Sequence, residues 1–284
     1  MGEKKHGIKK IIGLADVHIP NSRGLEEIRS VITEFTKQAK EIVKEAGGPE
    51  YVRIVVAGDV YDMKLDVTNE SELLCYWFFQ ELDKICPTII IAGNHDLNMM
   101  NLTKIDSITP IFEMSTFNQL RYLDREFGYK SGYVKDDNIV WCLYSTFSEF
   151  EKPNFVPDKA LNTDPAVKYI GLIHGEINGA TTAVNHVSEA ALSPALFDGT
   201  DFVIAGHIHR RQEIPGNGTK IVYCSSLKQK NFGETVSGHG FVIYDVESGD
   251  YEFIDTPNNS GVYKKYVINS LDDIDNDKEI LTNE

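Results

Sequence analysis

The chain has 284 residues, of which 42% are hydrophobic and 25% charged. This length and composition suit one large globular domain and exclude a chain that is disordered throughout. The formal net charge of −15 disfavours a free-standing nucleic-acid binder, because phosphate contacts need lysine and arginine. Bound divalent cations would weaken that objection, since they place positive charge where a phosphate would lie.

Targeting signals are not evident in the sequence. No apolar stretch approaches the ~20 residues that a membrane helix needs, and the basic, polar N-terminus lacks the apolar region of a secretory signal. The four cysteines, at positions 75, 86, 142 and 224, form no C-x-x-C pair. Scattered cysteines of this kind are typical of a reducing compartment, which predicts a cytoplasmic protein.

The first half of the chain alternates between apolar strands and amphipathic helices. Residues 8–15 predict a buried strand, and residues 24–45 carry apolar side chains at helical spacing before Gly47-Gly48-Pro49. A strand at 52–57, a helix at 71–84 and a strand at 88–92 are expected next. This β-α-β-α-β order predicts a parallel sheet covered by helices.

The second half is richer in strands, and one pair flanking residues 247–250 has the pattern of a hairpin. Strands are predicted at 139–144, 169–173, 202–205, 220–224, 241–245 and 251–254. Residues 145–164 are expected to form a surface loop. The predicted fold class is α/β, with a two-sheet β-sandwich flanked by helices in four α-β-β-α layers.

Polar side chains gather where the predicted strands end. In open α/β sheets, ligands bind beyond the carboxyl ends of the strands, so these residues are expected to meet in one place. They are Asp16, His18, Asp59, Asn94, His95, Asp96, His174, His207 and His209.

The residue types in this set suit catalytic metal ions. Carboxylate, amide and imidazole ligands without cysteine favour manganese, iron or zinc at a catalytic site over a structural zinc site. Seven of these nine residues are strong candidate ligands, which is more than one ion needs, so two ions are expected. Two metals about 3.5–4 Å apart are typical of in-line displacement at phosphorus.

Each motif alone also has a structural explanation. Asp16-Val17-His18 could form a helix-capping turn, Gly58-Asp59 an ordinary turn, and any single histidine a hydrogen-bonded core residue. All the motifs together, each closing a strand, favour the metal site.

The complete set resembles the calcineurin-like metallophosphoesterase superfamily over residues 8 to about 256. The resemblance implies that Asp59 bridges two metals, that Asp16, His18 and His209 complete the first site, and that Asn94, His174 and His207 complete the second. It also implies that His95 binds no metal and protonates the leaving oxygen or stabilises the pentacovalent phosphorus, with Asp96 orienting its ring.

A second segment resembles the SbcD-like nuclease branch of this superfamily. Residues 223–234, Y-C-S-S-L-K-Q-K-N-F-G-E, are similar to the branch segment Y-P-G-S-L-E-R-x-x-F-G-E. Departures lie at Cys224-Ser225, which replace Pro-Gly, and at Lys228-Gln229, which replace Glu-Arg. Asp62 also stands where the branch often has histidine.

The branch resemblance implies a manganese-dependent DNA exonuclease or endonuclease that acts in recombination and repair. It also implies an SbcC-like ATPase partner and two phosphoesterase subunits per complex. Iron, zinc and magnesium remain open as the metal. Four basic residues near the expected site are candidates for phosphate or DNA contact, or else ordinary solvated surface: Arg210, Arg211, Lys228 and Lys230.

The nuclease domain is expected over residues 1–260. Residues 261–284 would then be an acidic tail or the start of a missing or rudimentary cap region, in a compact form such as a viral one or in a fragment. Two other functions remain open. One is a phosphatase or phosphodiesterase acting on a nucleotide or other small phosphoester, and the other is a non-catalytic scaffold on the same fold.

Overall fold

The computed structural model describes residues 7–153, 166–182, 186–258 and 263. The strands within these ranges are β1 (Lys10–Leu14), β2 (Val52–Ala57), β3 (Thr88–Ile91), β4 (Leu120–Tyr122), β5 (Gly132–Asp136), β6 (Ile139–Tyr144), β7 (Lys168–His174), β8 (Phe202–Gly206), β9 (Gln212–Pro215), β10 (Lys220–Tyr223), β11 (Gly240–Asp245) and β12 (Tyr251–Asp255). The helices are α1 (Leu25–Ala46), α2 (Asn69–Asp83), α3 (Thr109–Met114) and α4 (Leu123–Glu126).

The strands form two six-stranded mixed sheets. The first has the order β12-β11-β1-β2-β3-β4, and the second β5-β6-β7-β8-β10-β9. β1, β2 and β3 run parallel, as do β6, β7, β8 and β10. β11 and β12 pair antiparallel, which confirms the predicted hairpin.

Local sequence signals set the ends of the two long helices. α1 lies between Gly24 and Gly47, and both glycines adopt positive φ angles that other residues reach only at a cost. α2 begins at a capping box, in which the Thr68 side chain accepts from the Ser71 backbone N–H. Both helices turn a buried apolar face towards the first sheet, where Phe35 and Phe78 are fully buried.

A second apolar layer lies between the sheets. Alternate residues of the first sheet, such as Val55 and Tyr244, meet Trp141 and Phe202 of the second sheet there. On the outer face of the second sheet, the described covering includes the 3₁₀ turn Pro194–Phe197. The predicted two-sheet sandwich flanked by helices is confirmed.

The elements that the sequence did not predict are short or exposed. β4 has three residues, and β5 is an edge strand without a buried residue. β9 has one buried residue, Ile214, and ends in proline. Of the loop expected at 145–164, the described part contains a 3₁₀ turn at Thr146–Ser148, whereas 154–165 lie outside the described residues. Residues 264–284 of the predicted tail also lie outside them.

The intersheet layer should carry a large part of the stability. Phe202 is fully buried and stacks on Tyr244, with ring centroids 4.3 Å apart. We expect Phe202→Ala to lower the free energy of unfolding by about 3–5 kcal/mol, because it removes an aromatic ring and leaves a cavity. The same substitution at Phe232, which is 63% exposed, should cost less than about 1 kcal/mol. Urea denaturation of both variants measures the difference, and equal small losses would contradict an intersheet core.

Candidate metal centre

Side chains from the ends of β1, β2, β7 and β8 meet at one edge of the two sheets. Asp16, His18 and His209 bring ligand atoms within 4.8 Å of one another, and so do Asp59, His174 and His207. The two groups lie side by side, since Nε2 of His174 is 3.9 Å from Oδ1 of Asp16. Residues far apart along the chain therefore converge as the sequence predicted.

Asp59 lies between the two groups. Its Oδ2 atom is 3.7 Å from Nε2 of His18 and 3.1 Å from Nε2 of His174. Its Oδ1 atom accepts the backbone N–H of His95 at 2.8 Å. One carboxylate oxygen thus faces both groups, which is the position that a bridging ligand requires.

The first group brings two ring nitrogens and a carboxylate oxygen close together. Nε2 of His18 lies 3.0 Å from Nε2 of His209, and the latter is 3.6 Å from Oδ1 of Asp16. Nδ1 of His209 contacts Glu234 at 2.8 Å, which accounts for a proton on Nδ1 and leaves the Nε2 lone pair for the centre. A cation between these atoms would use that lone pair.

His174 gives the clearest sign that a cation fits the second group. Its Nδ1 atom donates to the backbone carbonyl of Ala57 at 2.8 Å, so Nε2 is the ring nitrogen that faces Asp59 and the centre. That Nε2 atom is buried and makes no hydrogen bond to any described residue, although Asp59 is close. Buried polar atoms are rarely left unpaired, and a metal ion would satisfy this one.

The electrostatic field at the centre also favours positive charge. Burial lowers the pKa of His174, but the carboxylates of Asp59 and Asp16 outweigh it and raise the pKa to about 10. Burial lowers the pKa of His18 and of His207, which keeps these rings neutral. The field that holds a proton on His174 would equally attract a divalent cation, which would displace that proton.

Asn94 lies beside the second group. Its Oδ1 atom is 2.8 Å from Nδ1 of His207, so an amide oxygen and a ring nitrogen border the same space. The backbone N–H of His207 in turn donates to both oxygens of Asp16, at 3.1 and 3.0 Å. The structure therefore brings together all seven predicted ligands, although the metal itself stays a prediction.

Two acidic residues contact the ring nitrogens of ligand histidines, a role that the sequence did not predict for them. Glu234 holds His209 and is itself fixed by the backbone N–H of Lys230 at 2.8 Å. Asp62 lies 3.4 Å from Nδ1 of His18 and 2.5 Å from Nζ of Lys230. Such partners orient ligand rings and raise their basicity. Glu234 belongs to the F-G-E motif, and this motif was the sequence signal that could have indicated its role.

His95 stands at the rim of the centre and Asp96 beneath it. Nδ1 of His95 hydrogen-bonds to the backbone carbonyl of Asp62, and its Nε2 atom is 4.0 Å from Oδ2 of Asp59. Because a carbonyl only accepts, Nδ1 carries a proton and Nε2 faces the centre. The ring is thus oriented by a backbone carbonyl.

The prediction that Asp96 orients His95 was wrong. Both Asp96 oxygens accept backbone N–H groups instead, from Tyr61 at 3.0 Å, Gly93 at 2.9 Å and Val60 at 3.2 Å. Burial and the charge of Asp59 raise the pKa of Asp96 to about 7, against the effect of these three donors. Asp96 therefore ties the loop after β2 to the loop after β3.

The loops that carry the ligands have strained backbones and very close approaches. Asp16, His18, Asp59 and His207 have φ angles of 53°, 48°, 50° and 95°, a region that costs non-glycine residues of order 1–3 kcal/mol each. At Gly93, an added Cβ atom would lie 2.1 Å from Oδ1 of Asp59, so only glycine fits. Strain of this kind persists where the surrounding structure enforces it, which is common at functional sites.

The four basic residues predicted near the site have different surroundings. Lys230 reaches the centre, with Nζ 3.1 Å from Nδ1 of His18. Lys228 pairs with Glu27 at 3.0 Å, and Arg211 pairs with Asp255 at 2.5 Å. Arg210 is exposed, next to His209 in the chain. Acidic partners therefore already neutralise Lys228, Lys230 and Arg211.

Comparison with known proteins identifies the class to which this fold and centre belong. Residues 9–211 match the family model of the calcineurin-like phosphoesterases. The chain therefore belongs to this family, and membership implies a metal-dependent phosphoester hydrolase.

Within the described ranges, no helix combines the length and apolar character needed to cross a membrane.

Three proteins similar to this chain are at most 31% identical to it. Protein R555 of Acanthamoeba polyphaga mimivirus is 31% identical over 266 residues, which are 91% of this chain but 19% of that protein. The chain thus spans about a fifth of the length of this relative. Among solved structures, an archaeal phosphodiesterase is 14% identical, with 86% of this chain and 97% of that chain covered and a TM-score of 0.38. GAP50, the anchor in the inner membrane complex of Plasmodium, is 13% identical, with 90% of each chain covered and a TM-score of 0.48.

The support that Glu234 gives to His209 can be tested through metal affinity. We expect Glu234→Ala to weaken binding of the ion held by His209 by about 10–100-fold, because the ring loses its orienting acceptor. Calorimetric titration of the metal-free protein with Mn²⁺ measures this change. Glu247→Ala, on the exposed β11–β12 turn, is the matched control and should bind as the wild type does. Equal affinities for all three proteins would contradict the role.

Proposed function

We propose that this protein is a two-metal phosphodiesterase that cuts DNA, and that it resembles the SbcD-like nucleases in its activity. The observation that carries the hydrolase part of the proposal is the position of Asp59 between two ligand groups. The nuclease part rests on the segment 223–234. Its Glu234 and Lys230 side chains both reach the ligand histidines, which ties the resemblance to the site itself.

The proposed roles of the ligands follow from the geometry. Asp59 would bridge two ions, with Asp16, His18 and His209 on one side and Asn94, His174 and His207 on the other. The chemistry that two divalent cations would supply here is a more acidic water nucleophile and neutralised charge on the phosphoryl oxygens. Manganese is our proposal for the ion, because the resemblance to the SbcD-like branch implies it and the carboxylate and amide oxygens of the site suit it.

His95 would act on the leaving oxygen. Its Nδ1 proton is held by the carbonyl of Asp62, so the ring can present a second proton only at Nε2, the atom that faces Asp59. A proton donated from this atom would neutralise the departing alkoxide. The side chain is 36% exposed, which gives a substrate access to it.

A specific observation favours the second candidate, a phosphatase or phosphodiesterase for small phosphoesters. Acidic partners bind Lys228, Lys230 and Arg211, which weakens the basic surface that DNA would need. A non-catalytic scaffold is less well supported, because all seven candidate ligands and His95 converge. The nuclease is our first proposal, because the resemblance of segment 223–234 to the SbcD-like branch is more specific evidence for the substrate than the surface charge.

We also propose an SbcC-like ATPase partner, a complex with two copies of this chain, and a cytoplasmic location. A partner would supply the positive surface that a chain of net charge −15 lacks. Apolar side chains exposed on and around α2, among them Leu65 and Leu73, give the chain a surface suited to protein contact. All four cysteines are buried free thiols, which suits a reducing compartment.

The role of His95 predicts a separation of binding from turnover. His95→Asn should retain the metal content of the wild type and lose about 10²–10⁴-fold in turnover, since only proton donation is removed. Mass spectrometry of bound metal and hydrolysis of bis-p-nitrophenyl phosphate measure the two quantities. His186→Asn, on an exposed segment outside the centre, is the control. Loss of metal together with activity would reject this role.

Substrate size separates the two candidate functions. Both should hydrolyse bis-p-nitrophenyl phosphate with Mn²⁺, but only a nuclease will degrade end-labelled linear duplex or single-stranded DNA. We expect DNA degradation that needs Mn²⁺, stops with chelator and is stimulated by the ATPase partner. Hydrolysis of the small diester without any DNA cleavage, with or without the partner, would reject the nuclease and leave the small-phosphoester enzyme.

A further inference from the structure

A cleft of about 300 Å³ opens beside the candidate metal centre, on the side of His18. It extends from the ligands to the residues that precede α1. Its lining includes two candidate metal ligands, three basic residues and a tyrosine: Asp16 and His18, then Arg23, Lys228 and Lys230, and Tyr263. A group bound in this cleft would therefore adjoin a phosphoester held at the centre.

Arg23 is the cation in this cleft that remains available to a ligand. Lys228 is paired with Glu27 and Lys230 with Asp62, whereas Arg23 is exposed and makes no ion pair with any residue in the described ranges. A guanidinium group is permanently charged and presents a planar fork of donors that matches a phosphate. Arg23 lies about 200 residues before the motifs at Lys228 and Lys230, and no local pattern marks it.

Tyr263 gives the cleft an aromatic wall that is held in place. The side-chain amide of the buried Gln229 binds both backbone groups of Tyr263, accepting from its N–H at 2.7 Å and donating to its carbonyl at 3.0 Å. The ring of Phe232 packs against the ring of Tyr263, with centroids 5.0 Å apart. Tyr263 nevertheless remains 39% exposed. An exposed aromatic ring beside a cation is typical of sites for single-stranded nucleic acid.

We propose that this cleft binds the nucleotide next to the scissile phosphodiester of a nucleic-acid strand. Arg23 binds the neighbouring phosphate, and Tyr263, supported by Phe232, contacts the base. This inference rests on the proposed nuclease function and names the residues that would distinguish a strand from a small phosphoester. Both side chains act in binding and positioning, and neither touches the reacting atoms.

Binding of a fluorescein-labelled oligothymidylate, followed by polarisation in the presence of chelator, tests the cleft without turnover. We expect Arg23→Gln to raise Kd about tenfold at low salt and to reduce the slope of log Kd against log salt by about 0.7, the value for one phosphate contact on a single strand. Arg23→Lys should keep most of that slope, because it keeps the charge. Tyr263→Leu should raise Kd by about tenfold without changing the slope, since it removes stacking only.

Matched controls lie elsewhere on the surface. Arg29→Gln alters an arginine that packs on Trp77 and does not line the cleft, and Tyr133→Leu alters a half-exposed tyrosine on β5. Both should bind within twofold of the wild type, and thermal denaturation should show all variants folded. Wild-type affinity and salt slope in both Arg23→Gln and Tyr263→Leu would overturn the inference. If the wild type still degrades DNA in that case, the nuclease proposal survives. If the wild type neither binds nor degrades DNA, both proposals fail.

Discussion

The carboxylate of Asp59 imposes the constraint on which the rest of the site depends. It is buried between His18 and His174, and a second buried carboxylate, Asp16, lies next to it. Negative charge concentrated away from water must be compensated, by protons or by cations. A proton on His174 meets part of this requirement when no cation is bound, which is why the two carboxylates raise the pKa of this ring. Divalent ions would meet it more completely and would release that proton.

The fold supplies the geometry that makes such a concentration of charge possible. Parallel strands of two packed sheets end at the same edge, so short loops after β1, β2, β3, β7 and β8 face one another. The chain accepts positive φ angles at Asp16 and Asp59 to aim their carboxylates, and a glycine at 93 lets the loops approach closely. Backbone N–H groups bonded to Asp96 then lock two of these loops together. The packed sheets and the strained loops thus both position the ligands.

The ligands could be predicted from the sequence because each follows a strand with a strong apolar pattern. The observed ends of these strands lie close to the predicted ones. Roles that depend on contacts between distant segments of the chain could not be predicted from the sequence. Asp96 was assigned to its chain neighbour His95, but its oxygens satisfy backbone donors from another loop as well. The support of His209 by Glu234 and the exposure of Arg23 in the cleft likewise depend on three-dimensional contacts. Strands β5 and β9 escaped prediction because exposed edge strands lack the buried pattern.

The overall acidity of the chain does not describe the potential at the centre, because charge acts locally. Several acidic residues near the centre face ligand histidines or form ion pairs, including Asp59, Asp62 and Glu27. Two bound divalent ions would then reverse the sign of the potential where a phosphate would react. Fields from exposed charges elsewhere fall off within about 10 Å at moderate salt. The ions would therefore attract a nucleic-acid strand over only a few nucleotides, and the acidic surface would repel it beyond them. Under the proposed nuclease function, the protein would bind the reacting segment through Arg23 and the ions, and the proposed partner would hold the remainder of a long substrate.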